Sequence, residues 1–434
     1  MLIRRAALLD GTVTDIRLTT RIVEMGRGLA AGTGEPVFDA AGGTVLPGLH
    51  DHHVHVRAAA RAVTSLPCGP PQVHTKQQLA QALSSAAATP RPGGDGWIRG
   101  VGYHESVAGE LRRGDLDALA PDVPVRIQHR SGALWILNTA ALQRIGRPDH
   151  ADGRLRSTDA GWSDALARND TGLTELGERL TSLGVTGVTD ATPDLDADDI
   201  AALRAEHRAG RFAPRLHFLS PGKRILHDDR LDVDALTAWI AGRHATGRPV
   251  AVHCVTAAQL VVTVAALRAA GSDPRDRIEH GAVVPDDALA DLAALKVTVV
   301  TQPNFVFERG DQYLTDVPAH EHAELWRVAS LLEAGVPVAF STDAPFGAGD
   351  PWAAMRAAVH RTTRGGTVLG RRECVCTATA LAMFLGDPAE PGRARTVEPG
   401  QPADLCVLKQ PPAAALDAGM VAATIIGGEI VYRA

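Results

Sequence analysis

Residues 47–55 read PGLHDHHVH, an apolar start followed by four histidines and one aspartate. Alternate residues of a β-strand face the same side of a sheet, so His53 and His55 can point the same way. His50 and His52 form a competing pair with the same spacing. Imidazole and carboxylate groups are the usual protein ligands of Zn²⁺, so the stretch predicts a metal-binding strand. The alternation alone leaves open which histidine pair faces inward.

On both sides of this stretch, short apolar runs alternate with amphipathic helical segments. This repetition indicates βα units that build a parallel sheet. A chain of 434 residues has room for a (β/α)8 barrel of about 250 residues and an accessory domain. We predict nine strands, so at least one lies outside an eight-stranded barrel. The candidates are Val45–His55, Trp97–His104, Val125–Ser131, Val185–Ala191, Arg215–Leu226, Pro249–Cys254, Arg277–His280, Val297–Gln302 and Val336–Asp343.

The two ends of the chain share a different pattern, made of short strands separated by turns. Neither end is long enough to form a stable sheet alone, but together they can build one small β domain. We therefore predict an α/β fold, a TIM-type (β/α)8 barrel with a small β-sandwich assembled from both ends. The predicted sandwich comprises residues 1–46 and 391–434, and the predicted barrel comprises residues 47–390.

Further polar residues occur where later candidate strands end: His253, His280 and Asp343. The carboxyl ends of barrel strands build the active site. One histidine at such a position is more often a structural residue than a ligand. Several histidines and an aspartate in this order favour a shared metal site.

Composition excludes several classes of function. The net charge is −6, which gives no basic surface for nucleic acid. The five cysteines are irregularly spaced, so no disulfide framework is predicted. No apolar run reaches the 20 or so residues of a membrane span, so we expect no membrane partner and a cytoplasmic protein. The sequence carries no nucleotide-binding or serine-nucleophile motif.

The order of these motifs resembles the metal-dependent amidohydrolase superfamily, and in particular amidohydrolase family 3, the YtcJ-like branch. The resemblance covers nearly the whole chain and implies the barrel and the split β domain. It selects His53 and His55 as ligands, and it adds His253, His280 and Asp343. It implies a divalent metal, with Zn²⁺ expected, as one or two ions.

Lys223 enters through the same resemblance, because the superfamily often carries a carboxylated lysine on the fourth strand. A neutral amine can take up CO₂ to form a bridging carbamate, whereas a guanidinium that stays protonated cannot. Only four of the 44 basic residues are lysines. We expect Lys223 to be a metal ligand, with an exposed surface lysine as the alternative.

The resemblance also implies a mechanism. Asp343 is expected both to touch a metal and to act as the general base for a metal-activated hydroxide. Candidate substrate-binding residues are His129, Arg130, Gln302 and Asn304. One position departs from the branch, since Ala133 stands where relatives often carry a histidine.

We therefore predict a metal-dependent hydrolase that cleaves the C–N bond of a non-peptide amide, linear or cyclic. The substrate is expected to be a small molecule. One alternative is a related hydrolase that acts on an ester or lactone, or that deaminates an amidine. A non-enzyme alternative is an inactive homologue used for binding or assembly. If the chain forms an oligomer, a homodimer is expected, because dimers are the commonest oligomers.

Overall fold

The computed structural model describes residues 1–88, 96–132, 134–156, 162, 172–412 and 416–434. Its strands are β1 (Leu2–Ala7), β2 (Val13–Leu18), β3 (Ile22–Gly26), β4 (Val37–Asp39), β5 (Thr44–Pro47), β6 (Leu49–Val54), β7 (Leu66–Pro67), β8 (Ile98–Tyr103), β9 (Val125–His129), β10 (Leu134–Leu137), β11 (Arg154–Arg156), β12 (Val185–Asp190), β13 (Arg215–Phe218), β14 (Lys223–Ile225), β15 (Ala251–Cys254), β16 (Arg277–His280), β17 (Thr298–Thr301), β18 (Val338–Phe340), β19 (Leu405–Leu408), β20 (Val421–Ile426) and β21 (Glu429–Arg433).

The α-helices are α1 (Val56–Val63), α2 (Lys76–Ala88), α3 (Glu105–Ala108), α4 (Arg113–Asp117), α5 (Thr139–Arg144), α6 (Leu173–Ser182), α7 (Ala197–Arg208), α8 (Val233–His244), α9 (Ala257–Ala270), α10 (Ala288–Leu295), α11 (Asn304–Asp316), α12 (Ala329–Glu333), α13 (Pro351–His360) and α14 (Thr377–Ala382). Within the described ranges, none of them has the length and apolar character that a membrane crossing requires.

The chain divides into two compact units. The larger comprises Met1–Val56 and Thr174–Ala434, and the smaller comprises Arg57–Leu173. The smaller unit therefore lies inside the region predicted as a single barrel domain. Its alternation of strands and helices resembles that of βα units, so the sequence pattern could not separate it.

Eight parallel strands form the centre of the larger unit. They lie in a three-stranded sheet, β13-β12-β6, and a five-stranded sheet, β14-β15-β16-β17-β18. A parallel bridge between Val54 and Ala344 connects the end of β6 to the segment that follows β18. The candidate Arg215–Leu226 is two strands rather than one, because a tight turn interrupts it, in which the Gly222 backbone N–H donates to the Leu219 carbonyl at 2.6 Å.

Strands from both chain ends form one further sheet in the larger unit. Its order is β21-β20-β19-β5-β1-β2-β3, with β4 paired to β1. Strands β19 and β5 are antiparallel, with Leu405 opposite Pro47, so the sheet joins the two ends directly before the histidine-rich stretch begins. Its buried core includes Ile3, Ile16 and Ile425.

The smaller unit contains a five-stranded sheet of order β11-β10-β9-β8-β7. Two of the nine candidate strands, Trp97–His104 and Val125–Ser131, therefore belong to this sheet as β8 and β9. The unit has its own apolar core, which includes Leu79, Ile127 and Ile136. Its strands can bury their apolar residues without joining the parallel strands of the larger unit.

Candidate active site

Three polar side chains meet where β6 ends and where the chain leaves β18. The Nε2 atoms of His53 and His55 lie 3.6 Å and 3.5 Å from Asp343 Oδ1. One ligand atom from each residue lies within 4.8 Å of the other two. Asp343 Oδ1 is buried and has no hydrogen-bond partner among the described residues. A buried carboxylate oxygen facing two imidazoles is a donor set that suits a divalent metal, so these residues fit one.

Backbone contacts hold Asp343 at the end of β6. Its φ angle is 56°, a left-handed conformation that is uncommon for residues other than glycine, and its N–H donates to the His53 carbonyl at 3.0 Å. The preceding Thr342 donates its N–H to Asp51 at 3.0 Å, and its hydroxyl also donates to Asp51. Asp51 is fully buried. It therefore helps to fix the loop that carries Asp343 rather than joining the cluster.

His53 is held from both ring nitrogens. Its Nδ1 donates to the Glu279 carboxylate, and its Nε2 accepts from Lys223 Nζ at 3.0 Å. Arg277 Nε donates to Glu279 at 2.7 Å. We assign the tautomer from these partners: a proton on Nδ1 leaves the Nε2 lone pair facing the cluster.

Glu279 contacts His53, and the sequence did not predict this contact. Because side chains alternate along a regular strand, Glu279 would point away from the side that His280 occupies. His280 has a φ angle of 73°, so the extended geometry ends at this residue and the alternation rule no longer applies to it. His280 reaches the site from there, while Glu279 is fully buried against His53.

His253 and His280 lie beside the three-residue cluster. Their ring centroids are 4.5 Å apart, and the rings of His280 and His53 are 4.8 Å apart. Gln302 accepts from His280 Nδ1 at 2.8 Å. The five predicted ligands other than Lys223 therefore form one continuous group, and Lys223 joins it through His53.

Burial dominates the electrostatics of this group. Burial lowers the pKa of His53 and His253 well below the usual histidine range. The Lys223 cation and the neighbouring imidazoles lower the pKa of both residues further. These rings are neutral at pH 7 and have lone pairs for a metal. Burial also lowers the pKa of Lys223 to about 8, which makes the neutral amine accessible.

For Asp343, the neighbouring imidazoles affect the pKa more strongly than burial does. Burial tends to raise its pKa, but the imidazoles of His55, His53 and His280 outweigh burial and hold the pKa below the usual aspartate range. Asp343 is therefore ionised at neutral pH, as both a ligand and a base require.

The competing pair, His50 and His52, lies outside the cluster. His50 Nε2 contacts the Thr189 hydroxyl at 2.8 Å, and its ring packs on that of His52 at 4.6 Å between centroids. Both nitrogens of the buried His52 ring have no partner in the described ranges. These contacts support a packing role for this pair.

Two of the four candidate substrate-binding residues lie in the larger unit, and the other two lie in the smaller unit. In the larger unit, Gln302 donates to Ser341 at 2.8 Å as well as accepting from His280. Asn304 donates to the Thr342 carbonyl at 3.2 Å, and its buried Oδ1 has no described partner.

His129 and Arg130 lie in the smaller unit. His129 contacts Glu105 at 3.0 Å and the Ser131 hydroxyl at 2.8 Å. The Arg130 N–H donates to the Tyr103 carbonyl at 2.8 Å. Ala133, the position that departs from the branch, lies outside the described residues.

Comparisons with known proteins identify the family of the chain. Residues 36–432 match the amidohydrolase family. The chain is 26% identical to the N-substituted formamide deformylase of Arthrobacter pascens, over 89% of this chain and 87% of that protein.

Solved structures share the fold. An uncharacterized metal-dependent hydrolase from Pyrococcus horikoshii OT3 matches with a TM-score of 0.74 and 18% identity, covering 99% of both chains. N-Isopropylammelide isopropylaminohydrolase from Burkholderia multivorans matches with a TM-score of 0.58 and 17% identity, covering 100% of this chain and 98% of that chain. The family match spans nearly all of the sequence and confirms the resemblance drawn from its motifs. The chain belongs to the amidohydrolase family and is a hydrolase that acts on carbon–nitrogen bonds other than peptide bonds.

Proposed function

We propose that this protein is a metal-dependent hydrolase that cleaves the C–N bond of a small non-peptide amide. The observation that carries the proposal is the group of His53, His55 and Asp343, in which the buried Asp343 Oδ1 has no described hydrogen-bond partner. We further propose that the eight parallel strands close into a (β/α)8 barrel and that the terminal sheet belongs to a β-sandwich of residues 1–46 and 391–434. The barrel domain is then residues 47–390, with 57–173 as an insertion.

The proposed ligands are His53, His55, Lys223, His253, His280 and Asp343, and the proposed metal is Zn²⁺, as one or two ions. A divalent metal supplies Lewis-acid activation of water and of a carbonyl oxygen. The neutral imidazoles and the ionised carboxylate of this group provide the donors that such a metal requires.

Asp343 is the proposed catalytic residue. The carboxylate is ionised, so it can accept a proton from the attacking water through the oxygen that is not bound to the metal. The same oxygen then delivers that proton to the leaving nitrogen. With this proton, the nitrogen leaves as a neutral amine. Without it, the nitrogen would have to leave as an unstable anion.

We propose that Lys223 is carboxylated, in which case its carbamate would be able to hold two metal ions. Its Nζ lies next to His53, and burial favours the uncharged amine that reacts with CO₂. Protein equilibrated with ¹³C-labelled bicarbonate should show a carbamate carbon signal and two bound metals per chain. Lys223→Arg should lose the signal and bind fewer metals. A wild-type protein with one metal and no carbamate signal would exclude the bridge.

We propose that Glu279 positions His53 rather than touching substrate. Glu279→Gln weakens the acceptor that fixes the His53 tautomer, so metal affinity should fall by about 10–100-fold. Competition with a chelator measures this affinity directly. Glu390→Gln, on the surface, is the control and should leave affinity unchanged. If Glu279→Gln binds metal as tightly as the wild type, the positioning role is wrong.

For the substrate, we propose an N-substituted formamide or a related small amide. The support is the likeness to the Arthrobacter pascens enzyme, whose name states that substrate class. Metal-loaded protein should be assayed on formamides, ureas, cyclic amides, lactones and amidines. Release of formate and amine would support the proposal. Faster hydrolysis of lactones, or release of ammonia from amidines, would favour the alternative reactions.

The remaining predictions concern binding and assembly. We propose that Asn304, through its unpartnered Oδ1, contacts substrate, and that Gln302 acts by orienting His280. His129 and Arg130 remain substrate-binding predictions. A cytoplasmic location remains a prediction, as does a homodimer if the chain forms an oligomer.

A further inference from the structure

A cavity in the larger unit lies beside β13 and at the amino ends of β14, β15 and β16. Its volume is about 310 Å³, near the lower end of the roughly 300–1,000 Å³ that small-molecule sites occupy. None of His53, His55 or Asp343 lines it. The cavity is therefore distinct from the cluster of His53, His55 and Asp343, although Arg277 lines the cavity and also contacts Glu279.

The lining of this cavity is strongly basic. Four arginines line it, Arg243, Arg248, Arg275 and Arg277, and its lining includes no aspartate or glutamate. Arg275 pairs with the neighbouring Asp273, outside the lining. Within the described ranges, Arg243 and Arg248 form no ion pair. Burial, followed by the charge of Arg248, lowers the pKa of Arg243, so two cations share this space without a compensating anion.

Arg277 contributes a donor that lacks a partner. Its side chain is only 4% exposed. Its Nε and Nη2 donate to Glu279 and to the His52 carbonyl, whereas the buried Nη1 has no partner among the described residues. Arg243 Nε is also buried without a described partner. A buried charged donor without a partner is unfavourable, because it has lost its hydrogen bonds to water and gained none in the protein.

We propose that this cavity binds a small oxyanion, either a phosphate or a carboxylate group. An oxyanion would accept hydrogen bonds from the unpartnered guanidinium donors and would balance the charge of Arg243 and Arg248. Guanidinium groups match both kinds of anion, because their planar fork donates two parallel hydrogen bonds. The proposal does not depend on the reaction assigned to the active site.

The test is calorimetric titration of the metal-loaded protein with inorganic phosphate and, separately, with succinate, at constant ionic strength. Arg243→Gln and Arg248→Gln each remove one charged donor and should weaken binding by about tenfold, since a hydrogen bond to a charged group contributes roughly one decade or more. Arg230→Gln is the control, because Arg230 is 84% exposed and does not line the cavity.

The two titrations separate the possible ligands. Binding of phosphate alone, weakened by both variants, would support a phosphate site, and the same pattern with succinate alone would support a carboxylate site. No binding of either anion to the wild type would overturn the proposal. Binding that persists unchanged in the Arg243→Gln/Arg248→Gln double variant would also overturn it, because the anion would then bind elsewhere, for example at the metal.

Discussion

Asp343→Asn should reduce turnover by about 10³-fold, within the range that general acid–base catalysis contributes. The amide keeps the size of the carboxylate and one oxygen ligand, so the variant should still fold and bind some metal. It cannot accept the proton from water at neutral pH, and it cannot deliver that proton to the leaving nitrogen. Steady-state kinetics should therefore show a lower kcat, whereas KM should change little.

Asp196→Asn is a matched control for this variant. Asp196 caps the amino end of α7, where its side chain accepts from the Asp199 N–H at 2.7 Å. Asparagine is an equally good N-cap residue, so this change should leave activity and stability intact. An Asp343→Asn enzyme as active as the wild type would rule out Asp343 as the base.

His55→Ala should remove the metal held by the cluster of His53, His55 and Asp343 and, with it, activity. Removing one imidazole leaves His53 and Asp343 without the third member of the cluster. The fold should survive, because the His55 side chain is 15% exposed and its contact with the Thr192 hydroxyl is long, at 3.4 Å. Metal analysis of the purified variant, with thermal unfolding as a check on folding, measures both effects.

His227→Ala is the control, because His227 is exposed and no role is assigned to it. His53→Ala is a poorer test, since it also strips Glu279 and Lys223 of a buried partner and should destabilise the protein. A His55→Ala protein that keeps a full complement of metal would show that His55 is not a ligand.

The sequence predicted that His53, His55 and Asp343 would come together, but it did not predict the smaller compact unit. The spacing of His53 and His55 on one strand follows from the period of two, and the structure brings this pair together with Asp343. The same rule could not predict the contact between Glu279 and His53, because it assumes extended backbone and His280 is left-handed. Such a conformation at a non-glycine residue has no sequence signature.

The candidate barrel strands show a second limit of prediction from sequence patterns. Two candidates, Trp97–His104 and Val125–Ser131, are strands of the smaller unit, while Arg215–Leu226 contains two strands. Apolar runs indicate that a strand exists, but they do not indicate which sheet it joins. That choice depends on long-range packing, as in the separate core that includes Leu79 and Ile127.

The most direct test of the account is a crystal structure of the metal-loaded protein with anomalous diffraction measured at the zinc edge. We predict an anomalous peak within coordination distance, about 2.0–2.2 Å, of His53 Nε2, His55 Nε2 and Asp343 Oδ1. A second peak beside Lys223 would indicate the two-metal form. An empty site between these three atoms in metal-loaded active protein, or a single peak elsewhere in the chain, would contradict the account.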